Sequence, residues 1–455
     1  MYLDDTIAAV VTPGGRSGVC IVRLSGRAAL AIAGSVFRPT GKGDLEHNRL
    51  RHGHVLDAVG EPIDEILAVA MRAPRSYTGE DVFELHCHGS PVVVRAVLAR
   101  VLACGARAAA PGEFTQRAFL NGRIDLVQAE GVAELIGAKT EAAARTGLRH
   151  LSGTLSGEFA LIRENLVNAK ARLEVLIDFS EEDVDLSPES LEEDLAQAAD
   201  RTERLLASFR VGKLLRDGIH VTLLGRPNVG KSSLLNALLG HDRAIVAAEP
   251  GTTRDVIAES VDIGGIEVVL SDTAGLRSDP GAIERLGIER TRRVAAMGDA
   301  VLVVLDRSEP LTSEDEQVLG EAAGLPSIVV VNKIDLPSRW NPSDVAALRS
   351  KVSITEVSAA TGAGLEGVRK LISELAGASD LDPGAPVLTL ERHRTLLLRA
   401  RESIQLARES IRAKRPVDAI GVDIQTAVEH IGNVTGEITT EEVLDRIFRE
   451  FCIGK

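Results

Sequence analysis

Cysteine is scarce in this chain. Cys20, Cys87, Cys104 and Cys452 are the four in 455 residues. They lie far apart in no paired pattern, which excludes a disulfide framework and points to reduced thiols in a cytosol. Also missing is any apolar run of about 18 residues, so no membrane-spanning helix is expected. The opening MYLDDTIAAVVTP has two early acids and no basic stretch, which excludes a secretory signal. Positive charge is short as well. A net charge of −14 argues against a chain-wide electrostatic grip on nucleic acid, though not against a local basic face. One candidate face exists at 392–415, where eight Arg or Lys stand against two Glu on a helical pattern; a solvated helix face is the competing reading.

What is present is length enough for about three domains. Residues 1–121 mix short β-rich runs (TIAAVVT, VCIVRL, EILAVAM, VFELHCH) with turn residues, which predicts an α+β domain. Ser90, Pro91 and Gly105 bracket one helix within it as N-cap, first position and stop. From 122 the texture is helical. Leu155, Phe159, Ile162, Leu166, Ala169, Leu173 and Leu176 step by fours and threes, the seam of a bundle helix. EEDVDLSPESLEED at 181–194 reads as a charged connection, with helix resuming at about 190. Residues 218–378 alternate strand and helix like a doubly wound α/β domain, and helical periodicity returns over 379–455. The economical architecture is a helical domain, 122–217 with 379–455, into which the α/β unit is inserted.

The α/β unit carries the chemistry. HVTLLGRPNVGKSSLLNALLG is strand, Gly-rich loop and helix, and contains G-x-x-x-x-G-K-S at Gly225, Gly230, Lys231 and Ser232. Amides of such a loop (Asn228, Val229, Gly230, through Ser233) and the helix N-terminus hold phosphates. Lys231 reaches the β- and γ-phosphates, and Ser232 holds Mg²⁺. EVVLSDTAG delivers Asp272 to the metal side, followed by Thr273, Ala274 and Gly275, whose amide suits a γ-phosphate. SIVVVNKID ends in Asn332, Lys333, Ile334 and Asp335, where Asn332 and Asp335 fit guanine, and Ser358, Ala359 and Ala360 follow in SAATG. The ordered set predicts a GTPase.

Leu276 stands where many GTPases have a water-orienting Gln. Another group must therefore supply the base and the positive charge. Asn228, with backbone carbonyls from AAEPGTTRD at 247–255, is placed to hold a monovalent cation; Thr253 is the natural second Mg²⁺ ligand and Glu284 a candidate to position water. His86, Cys87 and His88 tempt a zinc reading, but on a strand the thiol faces away from both imidazoles. The terminal FCIGK is not a prenylation box, since Gly454 is not aliphatic and Lys455 is not a usual last residue. It is either a frayed tail or a working part.

By DTIAAVVTPGGRSGVCIVRLSG, SYTGEDVFELHCHGSP, PGEFTQRAFLNGRIDLVQAE, GRPNVGKSS, GTTRD, DTAGLR, NKID and the final FCIGK, the whole chain resembles the MnmE (TrmE) tRNA-modification GTPases. The resemblance implies a homodimer through the N-terminal α+β domain and a Ras-like G domain activated by K⁺. Asn228, Ala247, Glu249 and Thr252 would be the K⁺ ligands, within a nucleotide-contacting segment that also takes in Ala248, Pro250, Gly251 and Thr253. Glu284 matches the catalytic glutamate of the family. A 5-formyl- or 5,10-methylene-tetrahydrofolate site is implied at Arg23, Glu80, Arg123 and Lys455, with Arg123 standing where lysine also occurs. Cys452 would lie beside the folate as nucleophile or acid/base. Also implied are a flavoprotein (FAD-binding) partner of the MnmG type in a heterotetramer and a tRNA substrate modified at C5 of the wobble uridine to a (carboxymethyl)aminomethyl form. The competing function is an RNA-binding assembly or switch GTPase without covalent chemistry.

Overall fold

The computed structural model describes residues 5–41, 45–178, 188–241, 258–272, 298–343, 345, 352–377 and 384–455. The chain divides into two compact units, one of 1–133, 150–198 and 402–455, the other of 134–149 and 199–401.

In the first unit, β1 (Ile7–Val10) and β2 (Ser17–Ser25) are followed by α1 (Ala29–Val36), β3 (Phe37–Pro39), β4 (Arg51–Leu56), β5 (Pro62–Met71), β6 (Val82–Gly89), α2 (Pro91–Ala103) and β7 (Arg107–Ala108). The strands form one sheet in the order β3-β4-β5-β6-β2-β1-β7. Alternation puts Val22, Leu24, Phe83, Leu85 and Cys87 into one core with Ile32, Val36, Val97 and Val101 of the two helices. Ser90 caps α2 by backbone conformation alone and Pro91 opens it, with Gly105 at φ +104° just beyond its end.

Helices α3 (Glu113–Leu120), α4 (Leu126–Gly137), α5 (Glu141–Leu151), α6 (Thr154–Asp178) and α7 (Pro188–Asp217) come next. The seam on α6 is buried at every described position from Leu155 to Leu173. α7 begins at Pro188, two residues before the expected resumption, because proline is well suited to a first helical turn.

The second unit holds β8 (Ile219–Leu224), α8 (Lys231–His241), β9 (Ala258–Ile263), β10 (Ile266–Asp272), β11 (Ala300–Asp306), α9 (Ser313–Glu321), β12 (Ser327–Asn332), β13 (Ser353–Glu356) and α10 (Leu365–Leu375). The sheet order is β13-β12-β11-β8-β10-β9, parallel except for the edge strand β9. Both faces are covered: Leu302 and Val304 of β11 enter one core, Val301, Val303 and Leu305 the other. That is the doubly wound arrangement the strand–helix alternation predicts.

The chain ends in α11 (Glu391–Arg412), α12 (Val417–Thr435) and α13 (Glu441–Arg449). α12 packs along α6. The basic run on α11 is largely answered by acids: Arg408 and Arg412 share Glu192 at 2.8 and 3.0 Å, and Arg401 meets Glu203 at 3.4 Å. Among the described residues no helix is long and apolar enough to cross a membrane.

Candidate functional sites

The phosphate loop follows β8. Gly225 and Gly230 are required by close approach: a Cβ on Gly225 would lie 2.5 Å from the Val304 carbonyl oxygen, and one on Gly230 would lie 2.3 Å from Asn332 Nδ2. Asn228 adopts φ +65°, a left-handed conformation Asn tolerates better than most residues. Lys231, the first residue of α8, is 7% exposed and donates to the Gly225 and Arg226 carbonyls, each at 2.9 Å. Ser232 and Ser233 are exposed on the same first turn.

The loops that would read the base are tied to this one. Asn332, 1% exposed at the end of β12, donates Nδ2 to the Val229 carbonyl at 2.9 Å and accepts at Oδ1 from the Ala359 amide at 3.0 Å. Lys333 donates to the Asn228 carbonyl at 2.9 Å and to Asp306 at 2.5 Å. Burial pushes the Asp306 carboxyl up, but Lys333 and Ser308 outweigh it and hold the group below the usual range. Asp335 Oδ1 accepts from the buried Ser358 hydroxyl at 2.6 Å, and the Ile334 amide donates to the Val357 carbonyl at 3.3 Å. Ala360 follows in the same loop. Asn332, Asp335, Ser358 and Ala359 are thus one connected wall. Asp272 closes β10. Ala247, Ala248, Glu249, Pro250, Gly251, Thr252, Thr253, Thr273, Ala274, Gly275, Leu276 and Glu284 lie outside the described residues.

A second site forms in the α+β domain, and the C-terminus completes it. Phe451 is buried with Phe448, Leu444 and Leu126. Cys452 and Lys455 carbonyls accept from the Gly112 and Phe114 amides at 3.3 and 3.2 Å, and Ile453 bridges Pro111. Gly454 has φ +95°, and a Cβ there would lie 2.5 Å from the Val10 carbonyl oxygen. FCIGK is a docked element. Lys455 Nζ sits 6.0 Å from the Tyr77 ring centre, and the Arg23 guanidinium lies over the same ring at 5.3 Å and over Phe114 at 5.6 Å. Burial, then the neighbouring Arg23 charge, holds the Lys455 ammonium below the usual lysine range. Cys452 is exposed, and its carbonyl also accepts from the Lys455 amide at 3.3 Å as the tail turns.

Two of the four residues expected here are brought together over Tyr77, namely Arg23 and Lys455. Glu80 belongs to an adjoining network: both its oxygens accept from Arg117 Nη1 at 3.2 Å, and Oε2 accepts from Ser25 Oγ at 2.7 Å. Arg123 is exposed, its stem against Gly79, where a Cβ would come 3.2 Å from Arg123 Cγ.

Sequence reasoning missed the groups that hold Arg23 and Glu80. Arg23 Nε donates to Glu84 at 2.7 Å, and His86 Nε2 meets the other Glu84 oxygen at 3.1 Å. Burial pushes the Glu84 carboxyl up, but His86 and Arg23 prevail and lower it. Arg117, 2% exposed, also reaches Asp5 at 2.5 Å and Glu113 at 3.1 Å. Arg117 stands midway along α3 among buried neighbours from Glu113 to Ala118, and no sequence motif marks it. Cys87 packs in the core, where burial raises its thiol to about 12, while His86 pairs with Glu84 and exposed His88 with Asp64. The three side chains do not converge.

A phosphate loop on a doubly wound sheet, wired to an N-K-x-D strand end, defines a P-loop GTPase fold carrying an additional α+β domain. Family models agree with both parts: the TrmE N-terminus matches 6–123 and the MnmE helical domain matches 126–452. The tRNA modification GTPase MnmE of Moorella thermoacetica is 44% identical over 462 residues, covering 100% of each chain. That of Chloroflexus aurantiacus is 43% identical over 455 residues, again covering 100% of each. The chain belongs to the MnmE family of tRNA modification GTPases.

Proposed function

We propose that the chain is a GTP hydrolase that acts in tRNA modification, adding a (carboxymethyl)aminomethyl group at C5 of the wobble uridine together with an FAD-binding partner of the MnmG type. The observation that carries this reading is the docked C-terminus, which sets Lys455 and Arg23 over one aromatic ring in the α+β domain of a P-loop GTPase. An assembly GTPase that only switches has no use for such a site.

The residues fit a reduced folate. Arg23 Nη1 is buried without a hydrogen-bond partner, an orphan donor that a ligand carboxylate or carbonyl would satisfy. Tyr77 offers a partly exposed ring, and Lys455 a second cation for an anionic tail. Glu80 keeps acceptor capacity beyond Arg117 and Ser25, since a carboxylate has about four lone-pair sites. Bound folate would supply the one-carbon unit. Arg23, Lys455 and Arg123 would orient it, and Cys452 would act as nucleophile or acid/base toward the uracil ring.

In the G domain, Lys231 binds phosphate, Ser232 and Thr253 hold Mg²⁺, and Asp335 reads guanine. Asn228 with Ala247, Glu249 and Thr252 binds K⁺ in place of an arginine finger, and Glu284 positions water because Leu276 cannot. The protein works as a homodimer paired with its flavoprotein partner.

Nucleoside analysis of tRNA from a strain lacking the gene tests the reading. Loss of the modified wobble uridine, restored by the intact gene, is expected. Unchanged nucleosides alongside a ribosome-assembly defect would favour the switch GTPase.

A further inference from the structure

Within the second unit a cavity of about 700 Å³ lies away from the phosphate loop. Its walls are the exposed side of α5, the second half of α7, the turn between β9 and β10, and Ala385 and Val387. Arg145 and Arg149 on α5 stand one turn apart, and Arg204 and Arg210 face them from α7. Four arginines thus meet two lining carboxylates, Glu141 and Asp262, in a chain whose net charge is −14. Both carboxylates are committed: Glu141 to Arg145 at 2.6 Å, and Asp262 to the Gly265 amide within its own turn at 2.8 Å. Arg204 pairs with Asp200 at 2.9 Å. Arg210 makes no hydrogen bond or ion pair among the described residues. Its guanidinium is let in by Gly377, where a Cβ would fall 2.6 Å from Nη2.

The cavity is built rather than incidental. On its apolar side Leu215 belongs to the core under the sheet, and the partly buried Ala142 and Val211 pack against that core. Thr140 Oγ1 donates to the Gly265 carbonyl at 2.8 Å, and Lys139 meets the buried Glu267 at 3.1 Å, fixing the start of α5 on the turn.

We infer that this cavity binds a phosphorylated small molecule of nucleotide size, its phosphates on Arg145, Arg149, Arg204 and Arg210 and its body against the apolar side. The volume falls in the range of about 300–1,000 Å³ that small-molecule sites occupy. Arginine forks match phosphate oxygens two at a time, which neither lysine nor an apolar groove does. An extended RNA strand asks instead for an open basic track.

The test is isothermal titration of inorganic pyrophosphate into the full-length chain with GDP and excess Mg²⁺ present, so that the phosphate loop is filled. One site per chain is expected, weakened about tenfold or more in Arg145→Gln/Arg210→Gln. Unchanged GDP affinity in that variant shows that it is folded. An Arg145→Lys/Arg210→Lys variant, which keeps charge without the fork, is expected to bind between the two. Absence of binding to the native chain, or equal affinity in the glutamine variant, overturns the inference. So does a tRNA transcript that loses affinity in the glutamine variant while pyrophosphate does not.

Discussion

Arg23 and Glu84 stand directly opposite each other on β2 and β6, joined at 2.7 Å. The strand pairing alone dictates this ion pair, and it consumes the Nε edge of the guanidinium while Nη1 stays buried and unpartnered. Glu84→Gln keeps the shape but removes the charge that balances Arg23. We expect 5-formyltetrahydrofolate binding to weaken about tenfold, near the value of one charge-assisted hydrogen bond, with GTP hydrolysis unchanged. Equal folate affinity in a binding titration would remove the pair from the site.

Arg117 makes the buried carboxylates of its network sensitive to acid. Burial pushes the Glu113 carboxyl up, but Arg107, the Ala110 amide and Arg117 hold it below the usual range. A depressed carboxyl contributes stability above its unfolded value of about 4.3 and loses it as pH falls through the folded value. The native protein should therefore lose stability below about pH 4.3, where unfolded glutamates take up protons. Glu113→Gln should melt lower at pH 7 and lose less on acidification. Thermal melts at both pH values check this; a constant gap between the two proteins would mean charge is not the cause.

Asn332 joins the phosphate loop to the base-reading loop. Asn332→Ala takes a partner from the buried Val229 carbonyl, at about 1–3 kcal/mol, and from the half-buried Ala359 amide at less. Both a lower unfolding midpoint and a large loss of GTP affinity are expected. Asp335→Asn should spare stability and lower guanine affinity, because an acceptor for two donors becomes half donor. Equal GTP affinity in either variant would place the base elsewhere.

The parts of the molecule that repeat locally were legible in the sequence. The α6 seam, the buried strands β10 and β12 and the phosphate loop all follow from spacing within one element. The α+β site was only half legible. Arg23 faces Glu84 because two strands 61 residues apart share a register, and Arg117 meets Asp5 across 112 residues; no local pattern encodes either. Glu80 and Arg123 were expected beside Arg23 as folate contacts; the structure sets Glu80 on Arg117 and Arg123 beside Gly79, placements no local pattern encodes.

The proposed potassium dependence rests on Asn228 and Leu276. If a bound cation replaces the arginine finger, turnover should fall by at least about tenfold when Na⁺ or Li⁺ replaces K⁺, since a charge at that position is worth far more than this. Glu284→Ala should keep GTP affinity and lose turnover, as a group acting mainly in the transition state does. Equal rates in all monovalent ions would reject the cation site.

Gly454 offers the sharpest separation of the two chemistries. Its φ of +95° and the 2.5 Å approach to the Val10 carbonyl leave no room for a side chain. Gly454→Val should push the last residues off the α+β domain, taking Lys455 from Tyr77 and Cys452 from its place. Phe451 remains anchored by the helix core, so the fold should hold. The nucleotide wall is built from other elements and needs none of these contacts. Wobble-uridine modification should therefore be lost in cells carrying Gly454→Val while purified protein hydrolyses GTP nearly as before. Cys452→Ser leaves the docking intact and removes only the thiol. A loss of modification in both variants assigns chemistry to Cys452, whereas a loss in Gly454→Val alone assigns the tail to ligand binding through Lys455. Normal modification in Gly454→Val would show that the docked tail has no part in the reaction.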